Sequence, residues 1–447
     1  MIAQISNQTS LTIQHSASPK EAHQRFLDDV ADWVRTCRAE YGPIPPSNVH
    51  DQGTYTTGWL PYIESIGDAD ALGFMTKLRD QIWHHFHDTG AWSNGYWKTG
   101  EVHHATEHFE LFLTGLYTAA PEDGETIRQL IDAVEHMGNW VDGVEPWFDW
   151  ESGLFRSMWL GTEEVRLDPG LEINLPDHFR CANLCLVAYK MTQDEKYLEL
   201  PKVAIGLWAD AINDSDTLPI GLAPQGPIYA LSQDSDEAYR QFAGQAPELE
   251  LLVDRAENFL ASNGVNTFLT LWQLTQDEKF LQAAEKLLDI LAGQLNDPTA
   301  GSAADVIRTY RRLTGRTRYD EAILHAADAL GSTLIQALSI DPFPHREARP
   351  SGIGKRQDMP NWYEDNQPRQ RSPILLATAA EIRQDDALLT QSLDLARTHF
   401  LLARRVYPNG RHHGCSARTV SAVARGHGRE NNAGMVTGVL GPVGCLL

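Results

Sequence analysis

Two stretches of this chain echo one another: LCLVAYKMTQDEKYLEL at residues 184–200 and TLWQLTQDEKFLQAAEKLL at residues 270–288. Each carries an apolar helix into a Thr-Gln-Asp-Glu-Lys turn and then starts an amphipathic, charged helix. A helix pair of this size cannot bury its own apolar face, so copies must pack on one another. The repeat therefore restricts the fold to stacked helical hairpins, either an open solenoid or a closed ring.

The rest of the chain follows the same alternation. Ser18-Pro19-Lys20-Glu21 reads as a capped helix start, with Ser at the cap, Pro in the first turn and Glu three residues on. Helical spacing of Phe26, Val30, Trp33 and Val34 carries that helix to about Tyr41, where Gly42-Pro43-Ile44-Pro45-Pro46 ends it. Charged outer helices are expected near residues 69–87, 124–141, 195–212, 277–295, 318–337 and 385–404. Inner helices rich in small and apolar residues are expected near 55–66, 101–117, 176–191, 263–274, 303–313, 373–382 and 431–441. Strand signals are nearly absent, apart from irregular stretches near 147–160, 218–230 and 343–363. The expected architecture is an all-α (α/α) toroid of six to seven helix pairs, residues 18–447 forming one domain behind a flexible arm at 1–17. Closure is favoured because the polar loops entering the inner helices would then converge at one end.

Composition narrows the function. With 447 residues, 42% of them hydrophobic, the chain can bury a large core. A net charge of -23 and a pI near 5.1 argue against a nucleic-acid groove. Arg far outnumbers Lys among the 37 basic side chains, and local Arg and His can still focus a positive cleft inside an acidic shell. No apolar run approaches the ~18 residues of a membrane span. The first twenty residues are polar and lack an apolar signal core, so a cytoplasmic location is expected. Five dispersed cysteines (Cys37, Cys181, Cys185, Cys415, Cys445) do not form a disulfide framework.

Chemistry concentrates in the loops that enter the inner helices. HDQGTYTTGW offers His50, Asp51, Tyr55 and Trp59, and YWKTGEVHHATEH offers Trp97, His104 and His108. EINLPDHFRCANL offers Asn174, Asp177, His178 and Arg180, and SNGVNTF offers Asn263 and Asn266. NWYEDNQPRQR supplies Trp362, Tyr363, Glu364, Asp365, Arg369 and Arg371. The tail supplies His412, His413, His427, Arg429 and Asn431, and EPWFDWESGLF adds Trp147, Asp149, Trp150 and Glu151. Several of the 12 tryptophans lie in or near these loops. Flat aromatic faces suit stacking on sugar rings, although a loop Trp also packs the lid of its own core.

His104-Ala105-Thr106-Glu107-His108 matches the HxxEH spacing of inverted zinc peptidases, with two imidazoles on one helical face. Zinc needs a third ligand and an open position. The repeat architecture is unlike a peptidase, so no cofactor is expected and a metal ion at the His104/His108 face is the alternative.

The helical ring, the inner-helix mouths holding His, Asn, Arg and Tyr, and the lack of a β-sandwich partner resemble the alpha/alpha-barrel polysaccharide lyases, most nearly the glucuronan and alginate lyases. The resemblance covers most of the chain as architecture. It implies β-elimination at a uronic acid, so the partner would be an acidic carbohydrate, with neither nucleic acid nor membrane. Such enzymes neutralise the C6 carboxylate with Asn, His or Arg while Tyr or His takes the C5 proton. On that basis Tyr363 is the expected base, since Arg369 and Arg371 would lower a phenol's pKa. Asn174, His178 and Arg180 would hold the carboxylate, with His104 across the ring. Trp97, His108, Trp362, Arg369, Arg371, His413 and Arg429 complete the expected substrate contacts. A glycoside hydrolase on the same toroid is the alternative, drawing two carboxylates from Asp51, Asp149, Glu151, Asp177, Glu364 and Asp365. A non-catalytic repeat scaffold is the alternative from another class.

Overall fold

The computed structural model describes residues 10–47, 52–233, 252–296, 301–329, 337–339 and 372–406. These residues are all-α in character, and every strand among them is two or three residues long and sits in a two-stranded ribbon. The chain groups into two compact units. One draws on the spans Met1–Ile44, Tyr55–Phe74 and Leu288–Leu447, the other on Pro45–Thr54 and Met75–Leu287.

In the first unit, helix Pro19–Tyr41 begins as its sequence requires. Ser18 Oγ accepts the Glu21 amide at 3.3 Å, and Glu21 Oε2 accepts the Ala17 amide at 2.9 Å. Its apolar face packs on helix Asp386–Val406, where Phe400 meets Phe26 and Trp33 edge-on at 5.6 and 5.5 Å. Arg397 joins the same two helices through Asp29 at 2.6 Å. An early helix thus packs on the last described one.

Two expectations are corrected here. Residues 10–17 are not a loose arm in their described part, because Ser10–Thr12 pairs antiparallel with Ala337–Ser339. Ser16 is also held to Asp394 through both its amide and its hydroxyl, at 2.7 Å each. Of the helix expected at 318–337, Asp320–Asp328 is described as helix, residues 330–336 lie outside the described residues, and Ala337 lies opposite Thr12 in that ribbon. Strand pairing, a non-local contact, overrides the helical periodicity there.

In the second unit, the sequence echo is an echo of atoms. Helix Phe179–Thr192 turns into Lys196–Asn213, and helix Gly264–Thr275 turns into Glu278–Ala292. Both first helices end on a left-handed glutamine, Gln193 (φ 57°) and Gln276 (φ 59°), which lets the chain reverse. Thr192 and Thr275 each turn a hydroxyl back to a helix carbonyl and accept the amide of the next Asp. Asp194 and Asp277 then cap the outgoing helices by accepting the amides of Lys196 and Lys279, at 3.1 and 3.0 Å. Ser and Thr hydroxyls and Asp carboxylates are favoured at such ends because the terminal amides and carbonyls lack helical partners.

Helix Leu252–Ala261 was not expected from the sequence. The inner helix expected at 101–117 is broken into Val102–Glu107, a π-turn at His108–Leu113 and Thr114–Ala119. Cys37, Cys181 and Cys185 are free and buried, as small core residues. Among the described residues, no helix is long and apolar enough to cross a membrane.

Candidate functional site

Within the second unit, residues at the entrances of three inner helices meet. Glu101 precedes the first, and its carboxylate accepts the amides of His103 and His104 at 2.8 and 2.7 Å. Burial raises the Glu101 pKa, but the His104 ring beside it more than offsets this and the carboxyl titrates below its ordinary range. Pro176-Asp177-His178 forms a 3-10 turn leading into Phe179–Thr192, placing Asp177 and Arg180 in its first turns. Ser262 lies just before Gly264–Thr275.

His103 is the hub. Its Nδ1 lies 3.3 Å from Asp177 Oδ1, and its Nε2 lies 3.4 Å from Oε1 of the wholly buried Glu107. Burial and the nearby Arg180 lower the imidazole's pKa, yet Asp177 and Glu107 outweigh them and the net shift is upward. Arg180, with no exposed side-chain surface, donates from Nη1 to Glu110 Oε2 at 2.9 Å, and its Nε lies 3.7 Å from Asp177. Asn183 donates to Glu110 and to the Ser262 carbonyl at 3.0 and 3.2 Å. The Thr267 hydroxyl donates to Asn183 Oδ1. Ser262 Oγ donates to Asp177 at 3.2 Å.

Asp177 is the member of this network that reaches outward, with 20% of its side chain exposed. Burial raises its pKa, but His103, Arg180 and His178 together drive it well below the usual carboxylate range. The site therefore presents a carboxylate whose surroundings favour its ionised form, held by the Arg180 guanidinium, the His103 imidazole and the Ser262 hydroxyl.

The residues expected to carry chemistry fall elsewhere, for identifiable reasons. Asn174 donates to the Phe155 carbonyl at 2.6 Å and accepts the Phe155 amide at 2.8 Å, so its amide imitates a strand and is fully engaged. His178 accepts the Leu175 amide at Nδ1 (3.0 Å), which places its proton on Nε2, facing the Ser157 carbonyl at 3.1 Å. Burial lowers its pKa, and it ties loop to loop. Arg180 is committed to Glu110 and Asp177. All three side chains are buried and engaged by protein groups.

His104 and His108 do not converge. His104 pairs with Glu101 and keeps 32% side-chain exposure. His108, one turn deeper, is sealed beside Trp92, Phe109 and Phe112 with ring centroids 5.0 to 5.5 Å away. Burial lowers its pKa to about 3, so it is neutral and cannot touch substrate from this position. Among the described residues, no group of three or more His, Cys, Asp or Glu is placed to hold a metal ion. Trp97 is partly buried and packs on Phe86 and Trp92 at 4.5 and 5.6 Å, as a lid on its own core. Tyr363, Trp362, Arg369, Arg371, His413 and Arg429 lie outside the described residues.

His103, Glu110, Asn183 and Ser262 escaped the sequence reading. The signal was present: His103, Glu107 and Glu110 recur at i, i+4 and i+7 along one helical face. Choosing the 104/108 pair of the His-His dipeptide instead of 103/107 hid that stripe.

No family model matches this chain, and no curated protein matches it in sequence. Among solved structures, it is similar to an unsaturated glucuronyl hydrolase specific for heparin, at 12% identity and a TM-score of 0.46, over 83% of this chain and 98% of that one. It is also similar to a family 76 glycoside hydrolase from a bovine Bacteroides thetaiotaomicron strain, at 12% identity and a TM-score of 0.43, over 83% of this chain and 77% of that one. Neither likeness bears on which chemistry this chain performs.

Proposed function

We propose that the protein is a carbohydrate-active enzyme that cleaves glycosidic bonds by hydrolysis, with Asp177 as its ionised catalytic carboxylate. The observation that carries this reading is Asp177 itself, partly exposed yet gripped by His103, Arg180 and Ser262. Glycoside hydrolysis needs one carboxylate kept charged, to activate water or attack the anomeric carbon, and a second kept protonated to release the leaving group. Asp177 suits the first role because its surroundings favour the charged form. His103 and Arg180 act as positioning residues that hold the carboxylate and its charge. The companion acid is left to single amide substitutions of the remaining sequence candidates Asp51, Asp149, Glu151, Glu364 and Asp365, of which Asp51, Glu364 and Asp365 lie outside the described residues.

Elimination at a uronate, the chemistry the family resemblance implies, loses support from Asn174, His178 and Arg180, whose polar atoms serve the fold. It retains Tyr363, with Arg369 and Arg371, and the half-exposed His104 as candidates. The deciding experiment incubates the protein with glucuronan, alginate and neutral glycans, following reducing ends and the ultraviolet absorbance of unsaturated uronate together. New reducing ends without that absorbance are expected, and Asp177→Asn should remove them. Absorbance rising with the reducing ends would replace hydrolysis with elimination. Neither signal across a broad panel would leave the repeat scaffold.

A further inference from the structure

A second concavity of the same unit, apart from the His103 network, has the make-up of a sugar-binding cleft. It encloses about 600 Å³ against the hairpin that pairs Phe148–Asp149 with Leu154–Phe155. Its walls include Trp150, Glu151, Arg156 and Glu172.

The hairpin is built to hold its tip still. Asp149 accepts the amides of Glu151 and Ser152, both at 3.2 Å, and Gly153, at a φ of 73° that disfavours other residues, returns its amide to the Asp149 carbonyl at 2.8 Å. Asn139 clasps both the amide and the carbonyl of Phe148. Trp150 is 42% exposed, unlike Trp59, Trp92 and Trp147, which are buried. Its indole N–H donates to the Gly138 carbonyl at 3.3 Å and its ring meets Phe148 edge-on at 4.9 Å. The orientation of an exposed aromatic ring is thus fixed before any ligand arrives.

We propose that this cleft binds a neutral pyranose unit of an oligosaccharide, stacked on Trp150 with its hydroxyls donating to Glu151 and Glu172. A sugar's C–H face is apolar and its hydroxyl rim is polar, which matches an aromatic floor beside carboxylate acceptors. Asp149, Glu151 and Glu172 outnumber Arg156, so the cleft disfavours a uronate by like-charge repulsion. A preset ring and a rigid hairpin also lower the ordering cost of binding. The site goes beyond the cleavage chemistry assigned to Asp177, because it selects a sugar by charge and shape without transforming it.

The test titrates the full chain with neutral gluco-, manno- and xylo-oligosaccharides and with oligoglucuronate, by calorimetry and tryptophan fluorescence. At least one neutral oligosaccharide is expected to bind, with Trp150→Ala raising its Kd about tenfold and Trp150→Phe raising it less. Glu151→Gln combined with Glu172→Gln should also weaken binding, while narrowing the preference against oligoglucuronate. Circular dichroism and thermal melting unchanged in each variant exclude misfolding. The proposal is overturned if no neutral oligosaccharide binds, if Trp150→Ala leaves Kd unchanged, or if oligoglucuronate binds as tightly through Trp150. Asp177→Asn separates the two readings: it should stop turnover and leave binding at Trp150 intact. Turnover that survives that substitution would sink Asp177 as the catalytic carboxylate while the cleft stands.

Discussion

His103 and His108 stand five positions apart on one stretch of helix, both wholly inside the protein, and yet their chemistry is opposite. His103 has a carboxylate at each ring nitrogen and an upward-shifted pKa. His108 has Trp92, Phe109 and Phe112 around it, and its pKa falls to about 3. Burial acts on both in the same direction, against charge, so the neighbours alone decide the outcome. A histidine at a helix mouth becomes part of a site only when the opposing helix brings an acid to it. Here Asp177 does so for His103, and nothing among the described residues does so for His108.

The comparison breaks most visibly at Asp177. Asp177→Asn removes the carboxylate that gives the His103 side its meaning, and should lower kcat about a hundredfold or more with little change in KM. Steady-state rates on the glycan identified by the reducing-end assay check this. Activity within about tenfold of wild type would leave the network a structural feature with no part in the reaction.

Next in size is the cost of opening the network from its other end. Arg180→Met leaves Glu110 buried beside Asn183 without its cation, and removes one of the groups holding Asp177. Breaking a buried pair on one side should destabilise the protein by about 3–5 kcal/mol, read as a drop in the urea midpoint. The double variant Arg180→Met with Glu110→Gln should recover part of that loss, because no uncompensated charge then remains. A double variant no better than the single would mean that packing, and not charge, dominates at Arg180.

At the aromatic side the expected effects are small. His108→Phe replaces a neutral ring in an aromatic pocket by one of similar size, and should change stability by less than about 1.5 kcal/mol. Activity should stay at the wild-type level. The same change at His103 strands Glu107 and Asp177, and should cost at least twice as much while depressing kcat. Equal penalties at the two positions would erase the distinction between them.

How much of this was open to a reader of the sequence depends on the range of the interaction. The helical hairpins were legible because Ser18, the Thr-Gln-Asp-Glu-Lys turns and the spacing of apolar residues all act within a few positions. The site was legible only as a neighbourhood. Glu101-to-His108 and Asn174-to-Arg180 do meet, but which side chains face one another depends on helix rotation and depth. Asn174 and His178 look like ligand-binding residues by type, and their partners are backbone groups of Phe155, Leu175 and Ser157 that no spacing rule could supply. Residues 10–12 escaped for the same reason, since the strand they pair with lies at 337–339.

The smallest effect, and the most diagnostic, is a pH dependence of opposite sign at the two histidines. The unfolded chain binds a proton at each near pH 6.5. Folded His108 resists protonation down to about pH 3, so below 6.5 the unfolded state holds the extra proton and stability falls as the pH drops. One unit below that pKa the loss is about 1.4 kcal/mol. Folded His103 has a raised pKa, so its contribution is fully present below pH 6.5 and is lost as the pH rises through the folded value. Asp177 and Glu101, both with depressed folded pKa values, lose their contributions only near and below their ordinary range at 3.8 to 4.5. Urea unfolding between pH 5 and 6.5 therefore isolates the imidazoles from the carboxylates. His108→Phe should reduce the acid-side decline in that window, the remainder coming from His87, His136 and His178, whose pKa values burial also lowers. His103→Gln should leave that decline in place while removing the alkaline-side loss. An acid-side slope unchanged by His108→Phe would show that water or an acid reaches that ring, and the aromatic seal would have to be abandoned.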